Sequence, residues 1–291
     1  MAQPKSIQGR VVAITGGARG IGRATAGVLL HRGARVAIGD VDVELAERTA
    51  AELGEGVVAL PLDVTGRESF AAFVDGVESR LGPLDVLVNN AGIMPIGPFV
   101  AEAEAATDRQ LDINLRGVIN GSRLAVERMQ ARDSGHIVNI ASEAGMTGFP
   151  GLATYCATKH AVVGLSQSLY WELEQTGVEV SCVMPAIVDT ELSKGMTQAS
   201  FVKSVEPEDV GEAIASALER PRVAVHVPRA GGVIGKFAAA LPERAQKAIF
   251  RAIGGDKAAV EVDRGARAGY EHRVAEVEPE QAAEARAKAA V

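Results

Sequence analysis

Tyr155 and Lys159 stand four residues apart in TYCATKH, and Ser142 precedes the tyrosine by thirteen. Residues spaced by four share one face of a helix, so a phenol and an ammonium can point into the same crevice. A cation beside a phenol favours phenolate and lowers its pKa towards neutrality. Tyr155 would then act as an acid towards a ketone oxygen or a base towards an alcohol, with Ser142 hydrogen-bonded to the same oxygen. Taken one at a time, these residues have plainer readings: a helix-face aromatic, a solvated charge and a turn former. The chemical reading depends on what the chain places beside them.

A glycine loop supplies that company. The apolar run VVAIT leads straight into TGGARGIG, Thr15 to Gly22. Gly16 permits a sharp turn out of a strand, Gly20 lets backbone approach a phosphate, and Gly22 lets the next helix pack closely on the sheet. The free N–H groups and dipole of that helix N-terminus favour a pyrophosphate, with Arg19 and Ile21 beside it. The spacing is GxxxGxG rather than the commoner GxGxxG, so the strand–loop–helix context carries the reading. A second strand ends at Asp40, 18 residues beyond Gly22. A carboxylate there accepts bonds from both adenosine ribose hydroxyls and repels a 2′-phosphate, which selects NAD. Arg19 argues for NADP, since a guanidinium can pair with that phosphate. Asp40 outweighs it, because one exposed arginine does not rescue an anion facing a dianion in a partly dry crevice. Asp63 and Val64 close a third strand, where Asp63 would meet the adenine amino group. At the end of a fourth, Asn89 reads as structural and Asn90 as a cofactor neighbour, while Ala91 and Gly92 leave room beside a flat ring. Lys159 could in addition bind the nicotinamide-ribose hydroxyls.

These residues need a scaffold, and the chain alternates in a way that provides one. Short β-branched runs occupy 11–15, 35–39, 57–63, 86–90, 136–142, 178–185 and 223–228, with helical spacing at 21–33, 42–53, 67–81, 101–132, 154–176 and 207–220. Fully apolar strands alternating with helices imply a parallel sheet covered on both faces. With right-handed crossovers, the expected fold is α/β: a doubly wound, seven-stranded, Rossmann-like sheet. Residues 1–228 form the expected cofactor-binding and catalytic domain, and 229–291 a helical tail. In that tail Ile234, Phe237, Leu241, Ala245, Ile249 and Ile253 make an apolar stripe interrupted by Pro242. Six basic and two acidic residues between Arg229 and Lys257 set +4 against −11 for the rest of a chain whose net charge is −7. That acidic balance argues against nucleic acid. Two cysteines make no disulfide framework, and no Cys/His cluster has metal-like spacing. No apolar run approaches the roughly 18 residues of a membrane span, and MAQPKSIQGR lacks a signal-peptide core. The expectation is a cytoplasmic protein without a metal.

The combination TGxxxGxG, NNAG, a mid-helix Asn, Ser and YxxxK resembles the short-chain dehydrogenase/reductases, in their single-domain form, over residues 10–228. The resemblance implies Ser142, Tyr155 and Lys159 as the catalytic set. It adds Asn114, in LDINLRGV, as a fourth member holding a water that connects the lysine to a proton relay. From the sequence alone, Asn114 is a polar residue inside a helix. After the sixth strand the family usually shows Pro-Gly, whereas here Pro185 precedes Ala186, which narrows the wall beside the nicotinamide by one methyl. Val188 follows, and Thr190 matches the residue that contacts the carboxamide. The resemblance also implies a homodimer or homotetramer through the helices at 101–132 and 154–176.

Candidate substrate walls are Ile93, Met94 and Pro95, then Met146, Phe149 and Leu152, then Met196 and Phe201, nearly all apolar. They favour a hydrophobic alcohol or ketone, steroid-, terpenoid- or lipid-like. The plainer reading is that these loops close the core. Glu143 could contact a substrate hydroxyl, and residues 190–204 could form a closing lid. Cys156 reads as a small buried hydrophobe rather than a redox switch. The leading function is an NAD-dependent alcohol/ketone oxidoreductase. Alternatives are an NADP-dependent carbonyl reductase, an epimerase or dehydratase on the same fold, and a dinucleotide-sensing regulator. The basic tail either packs near the pocket, with Phe237, Leu241 and Ile249 buried, or lies on an anionic membrane.

Overall fold

The structure, a computed structural model, describes residues 4–196, 204–231, 241–252, 254–256 and 259–274. Seven strands carry the sheet: β1 (Val11–Thr15), β2 (Arg35–Asp40), β3 (Val57–Pro61), β4 (Val86–Asn89), β5 (Gly135–Ile140), β6 (Val178–Pro185) and β7 (Ala224–Val227). All pair in parallel, in the order β3-β2-β1-β4-β5-β6-β7. Every residue of β1, β4 and β5 is buried, as expected of strands with a helical layer on each side.

Helices cover both faces of the sheet. On one face, α1 (Gly20–His31), α2 (Val43–Leu53) and α7 (Pro207–Glu219) bury Leu29, Ala46, Val210, Ile214 and Leu218 against Val12, Ile14, Val36 and Ile38. On the other, α3 (Arg67–Leu81), α5 (Gly117–Gln130) and the end of α6 (Ala153–Glu172) meet Val11, Ala13, Leu87 and Ile137 through Phe70, Phe73, Met129 and Leu169. Burying one such aliphatic or aromatic side chain is worth roughly 1.5–3 kcal/mol, so alternate strand residues anchor opposite layers. Local signals set the helix starts: Asp42 caps α2 by accepting from the Leu45 N–H, and Pro207 opens α7.

Three expected boundaries differ. The stretch 101–132 is not one helix; after a 3₁₀ turn at Phe99–Ala101, α4 (Glu104–Leu111) passes through a π turn at Asp112–Arg116 into α5. The extra residue in that turn rotates Asn114 inward, where it is fully buried. β3 stops at Pro61, so Asp63 and Val64 lie in the loop beyond it. β5 stops at Ile140, so Ser142 caps a separate 3₁₀ turn, Glu143–Gly145. Each strand ends where backbone leaves the ladder to reach the cleft.

Order reverses between β1 and β4, and the crevice outside their C-terminal ends is where such sheets hold ligands. The described tail contributes α8 (Glu243–Ala252) and α9 (Arg264–His272). Ala259 is buried among Met94, Ala144, Leu152, Tyr155 and Cys156, and Tyr270 and Val274 are buried with Ile93, beyond the strand ends. Ile234, Phe237, Ile253 and the Ile249 side chain lie outside the described residues. Leu241 is 39% exposed, contrary to its expected burial: it precedes α8 and faces solvent.

Candidate active site

The loop after β1 is fastened from β4. Asn90 donates through Nδ2 to the carbonyls of Thr15 (2.9 Å) and Gly16 (3.0 Å), and its own N–H reaches Thr15 Oγ1 at 3.0 Å. Asn90 thus borders the cleft while its amide props the loop. Gly16 turns with φ +63°, and a Cβ on Gly22 would lie 2.2 Å from the Gly16 carbonyl oxygen, so the close approach of α1 to the loop requires that glycine. Helix α1 begins after Arg19 with no side-chain cap and no acid in its first turn. Gly20 and Ile21 sit at this uncapped end and line the cleft. A helix N-terminus left with free N–H donors and a positive dipole end suits a pyrophosphate, and the residues present fit a dinucleotide.

Asp40 ends β2 in the same cleft. Its carboxylate accepts from the N–H of Ala18 (3.1 Å) and of Asp42 (3.2 Å). Burial pushes this carboxyl above its usual range, and the two N–H donors and Arg19 pull it back. Arg19 is already engaged: its guanidinium lies 2.5 Å from Asp42 and 3.6 Å from Glu191. Asp63 is buried, and its Oδ1 accepts from Thr65 N (3.0 Å) and Oγ1 (2.8 Å). Val64, Ala91, Gly92, Pro185, Val188 and Thr190 complete this part of the wall.

The helix α6 brings Tyr155 and Lys159 to one face, both buried, with the lysine Nζ 5.6 Å from the phenol ring centroid. Lys159 donates to the Ile140 carbonyl at 2.9 Å, which fixes its head under the end of β5. Burial lowers its pKa to about 8, with the Cys182 thiol opposing. Burial likewise pushes Tyr155 up to about 12; its hydrogen bond with Ser142 acts in the lowering sense, and Cys156 adds to the rise. The expected drop towards neutrality is therefore absent, because desolvation of the phenolate dominates and the ammonium is bonded to a carbonyl rather than to the phenol. Ser142 Oγ accepts from Ala144 N (3.1 Å) and donates to the Pro185 carbonyl (3.4 Å). Asn114 stands behind this group: its amide accepts from Ile93 N and donates to Ile93 O, both at 2.8 Å. It is a clamp on the loop after β4 and does not line the cleft.

These parts border one cavity of about 500 Å³. Its outer end is walled by Met94, Phe149, Leu152, Leu192 and Met196. Met146 is 49% exposed and lies outside the wall, since the 3₁₀ turn carries it to the surface. Phe201 and the part of the expected lid at 197–203 lie outside the described residues. Glu143 lines the cavity, but its carboxylate is taken by His226 Nδ1 of β7 at 2.8 Å, so contact with a substrate hydroxyl would compete with that pair. Cys156 is buried with its thiol pKa raised, as befits a packing residue. Sequence reasoning missed Tyr270 and Arg273 of the tail, which also line the cavity. The spacing of Arg267, Tyr270 and Val274 along one helical face was the available signal. Among the described residues there is no cluster able to hold a metal, and no helix is long and apolar enough to cross a membrane.

The geometry can be set beside known proteins. The family model described as short chain dehydrogenase matches residues 10–200. A sorbitol dehydrogenase from Cereibacter sphaeroides is 40% identical over 186 residues, 64% of this chain and 73% of that one. A 3-alpha-(or 20-beta)-hydroxysteroid dehydrogenase from Mycobacterium bovis is 36% identical over 210 residues, 71% of this chain and 81% of that one. A solved short chain dehydrogenase/reductase from Burkholderia phymatum, in complex with NAD, superposes with a TM-score of 0.74 at 26% identity, covering 81% of this chain and 94% of that one.

Proposed function

The chain belongs to the short-chain dehydrogenase family, a family of alcohol/ketone oxidoreductases using NAD(P), and from that premise we propose that it is an NAD-dependent enzyme for hydrophobic secondary alcohols or ketones. One observation carries the reading: Ser142, Tyr155 and Lys159 share a single cavity with the uncapped end of α1 and with Asp40. The nicotinamide, when bound, supplies or accepts the hydride. The chain's own residues do the rest. The uncapped N–H groups of α1 hold the pyrophosphate, and Asp40 takes the adenosine ribose. Ser142 holds the substrate oxygen. Tyr155, protonated through the neutral range, donates its proton to that oxygen in reduction; in oxidation its phenolate form accepts the proton of the alcohol. Lys159, charged below about pH 8 and beside the phenol ring, stabilises the phenolate as it forms.

NAD rather than NADP is supported by Asp40 and by the engagement of Arg19, whose guanidinium is paired with two carboxylates. A hydrophobic substrate is supported by the apolar outer walls, which suit the steroid relative's kind of substrate better than the sorbitol relative's polyol. Packing of the tail, read as residues 229–291, on the domain is supported in its described part by Phe250, whose ring lies tilted at 5.5 Å from that of the cavity residue Phe149. Self-association, which the family likeness implies, would cover the exposed Phe99, Val100 and Trp171.

Tyr155→Phe is the direct test. It should reduce turnover of lipophilic alcohols by roughly 100-fold or more while leaving NADH affinity within a few-fold, because only the proton-transfer group is lost. Retained turnover would sink the assignment, and tighter NADPH than NADH binding in the same fluorescence titration would overturn the cofactor preference.

A further inference from the structure

The tail does more than rest on the domain. Arg267 of α9 is a fully buried cation, and its guanidinium reaches three backbone carbonyls on two separate loops. It donates to Leu192 O at 2.8 Å and Lys194 O at 3.2 Å, both after β6, and to Met94 O, after β4. Its Nε lies 3.2 Å from Glu271, one turn on, and its plane stacks 4.7 Å from the Tyr270 ring centroid. Tyr270 in turn accepts from the Met94 N–H at 2.8 Å and packs its ring with Ile93, Leu192 and Ile113. Met94, Leu192 and Tyr270 all line the cavity, with Tyr270 in contact with the other two.

The loops are shaped to receive this helix. Gly195, with φ +80°, accepts from Asp263 N at 2.8 Å, and a Cβ there would lie 2.5 Å from the Asp263 carbonyl oxygen. At Gly151, just before α6, a Cβ would lie 2.5 Å from Ala259 O. Two glycines thus leave room for tail backbone, and one arginine satisfies carbonyls from the loops after β4 and β6. A tail resting loosely on the domain would need neither.

We infer that α9 is a working wall of the active site, in which Tyr270 sets the size of substrate admitted and Arg267 is a positioning residue that holds the two substrate loops in register. Arg267 is placed for this because a planar guanidinium can serve several carbonyls at fixed angles, which a lysine cannot. The inference rests on the function proposed above only for the identity of the ligand, since the cross-link itself is independent of any reaction.

The test uses the full chain as wild type, Tyr270→Phe, Tyr270→Ala and Arg267→Met. Each is loaded with NADH and titrated with methyl ketones of increasing bulk, followed by nicotinamide fluorescence. Hydrogen exchange is recorded over 93–96 and 189–196. Tyr270→Ala should shift affinity towards the bulkiest ketone over the smallest by on the order of tenfold, the usual scale for a reshaped apolar pocket. Tyr270→Phe, which keeps the ring, should preserve the ranking, and NADH affinity should stay within about threefold in all variants. Arg267→Met should speed exchange in both loops together. An unchanged ranking in Tyr270→Ala would overturn the selectivity role, and unchanged exchange in Arg267→Met would overturn the positioning role. Should the wild type bind no ketone, the substrate reading fails, while the exchange comparison still decides for or against the cross-link. If Arg267→Met does not fold, Arg267→Lys replaces it, with faster exchange in both loops expected and unchanged exchange overturning the positioning role.

Discussion

Burial moves Tyr155 and Lys159 in opposite senses, and this makes the pair readable by titration. Lys159 has a folded pKa of about 8 against an ordinary 10.5, so above pH 8 the unfolded chain binds more protons at this site. Its contribution to stability is therefore fully present above 10.5 and is lost as pH falls through 8. Tyr155, raised to about 12 from 10, and Cys182, raised to about 11 from 9, act the other way at higher pH. The clean window is pH 8 to 9. There, urea unfolding should show stability rising with pH for the wild type relative to Lys159→Met, and parallel curves would contradict a buried, poised lysine. Both residues were legible from their spacing, as was Ser142. The direction of the tyrosine shift was not, because it depends on how much water the fold removes and on Ile140 taking the ammonium's hydrogen bond.

At the level of elements, the strands and most helices could be read from apolar periodicity, since β1, β4 and β5 are buried throughout. What periodicity did not reveal was the π turn inside the helical stretch 101–132. A helical pattern shows that residues repeat near every fourth position, but a π turn shifts the phase by one residue without disturbing the pattern on either side. Asn114 lies in that turn, and its two bonds to Ile93 tie α5 to the loop after β4. Asn114→Ala would leave a buried N–H and carbonyl unpaired. The expected loss is about 2–4 kcal/mol of unfolding free energy, measurable by urea titration. A loss below about 0.5 kcal/mol would mean that water replaces the amide at little cost.

Across the molecule, charges remote in sequence converge on the mouth of the cleft. Asp42 pairs with Arg19, Arg19 approaches Glu191, and Glu191 accepts from Arg273 of the tail at 2.6 Å. These pairs are partly exposed, so each is worth about 1 kcal/mol or less. Their placement matters more than their strength, because they keep Arg19 from being available to a 2′-phosphate. Converting Asp42→Asn and Glu191→Gln together should lower the ratio of NADH to NADPH affinity by about threefold to tenfold. An unaltered ratio would mean that these pairs have no part in the choice of dinucleotide. The tail's part in this was hidden in the sequence: Arg267 and Met94 are 173 positions apart, and no periodicity reports on such a distance.

The all-parallel sheet also makes the two ends of the chain unequal. Every strand finishes on the same side, so residues that follow β7 emerge already facing the cleft. Those that precede β1 are held at the far edge, where Lys5 bonds to Glu219 at the end of α7 and to Glu179 near the start of β6. Sequence grown after the last strand lands on the chemistry, whereas sequence grown before the first lands behind it. In this topology, new substrate preferences are most readily acquired by lengthening the chain at its finish, and a reporter is most safely carried at its start.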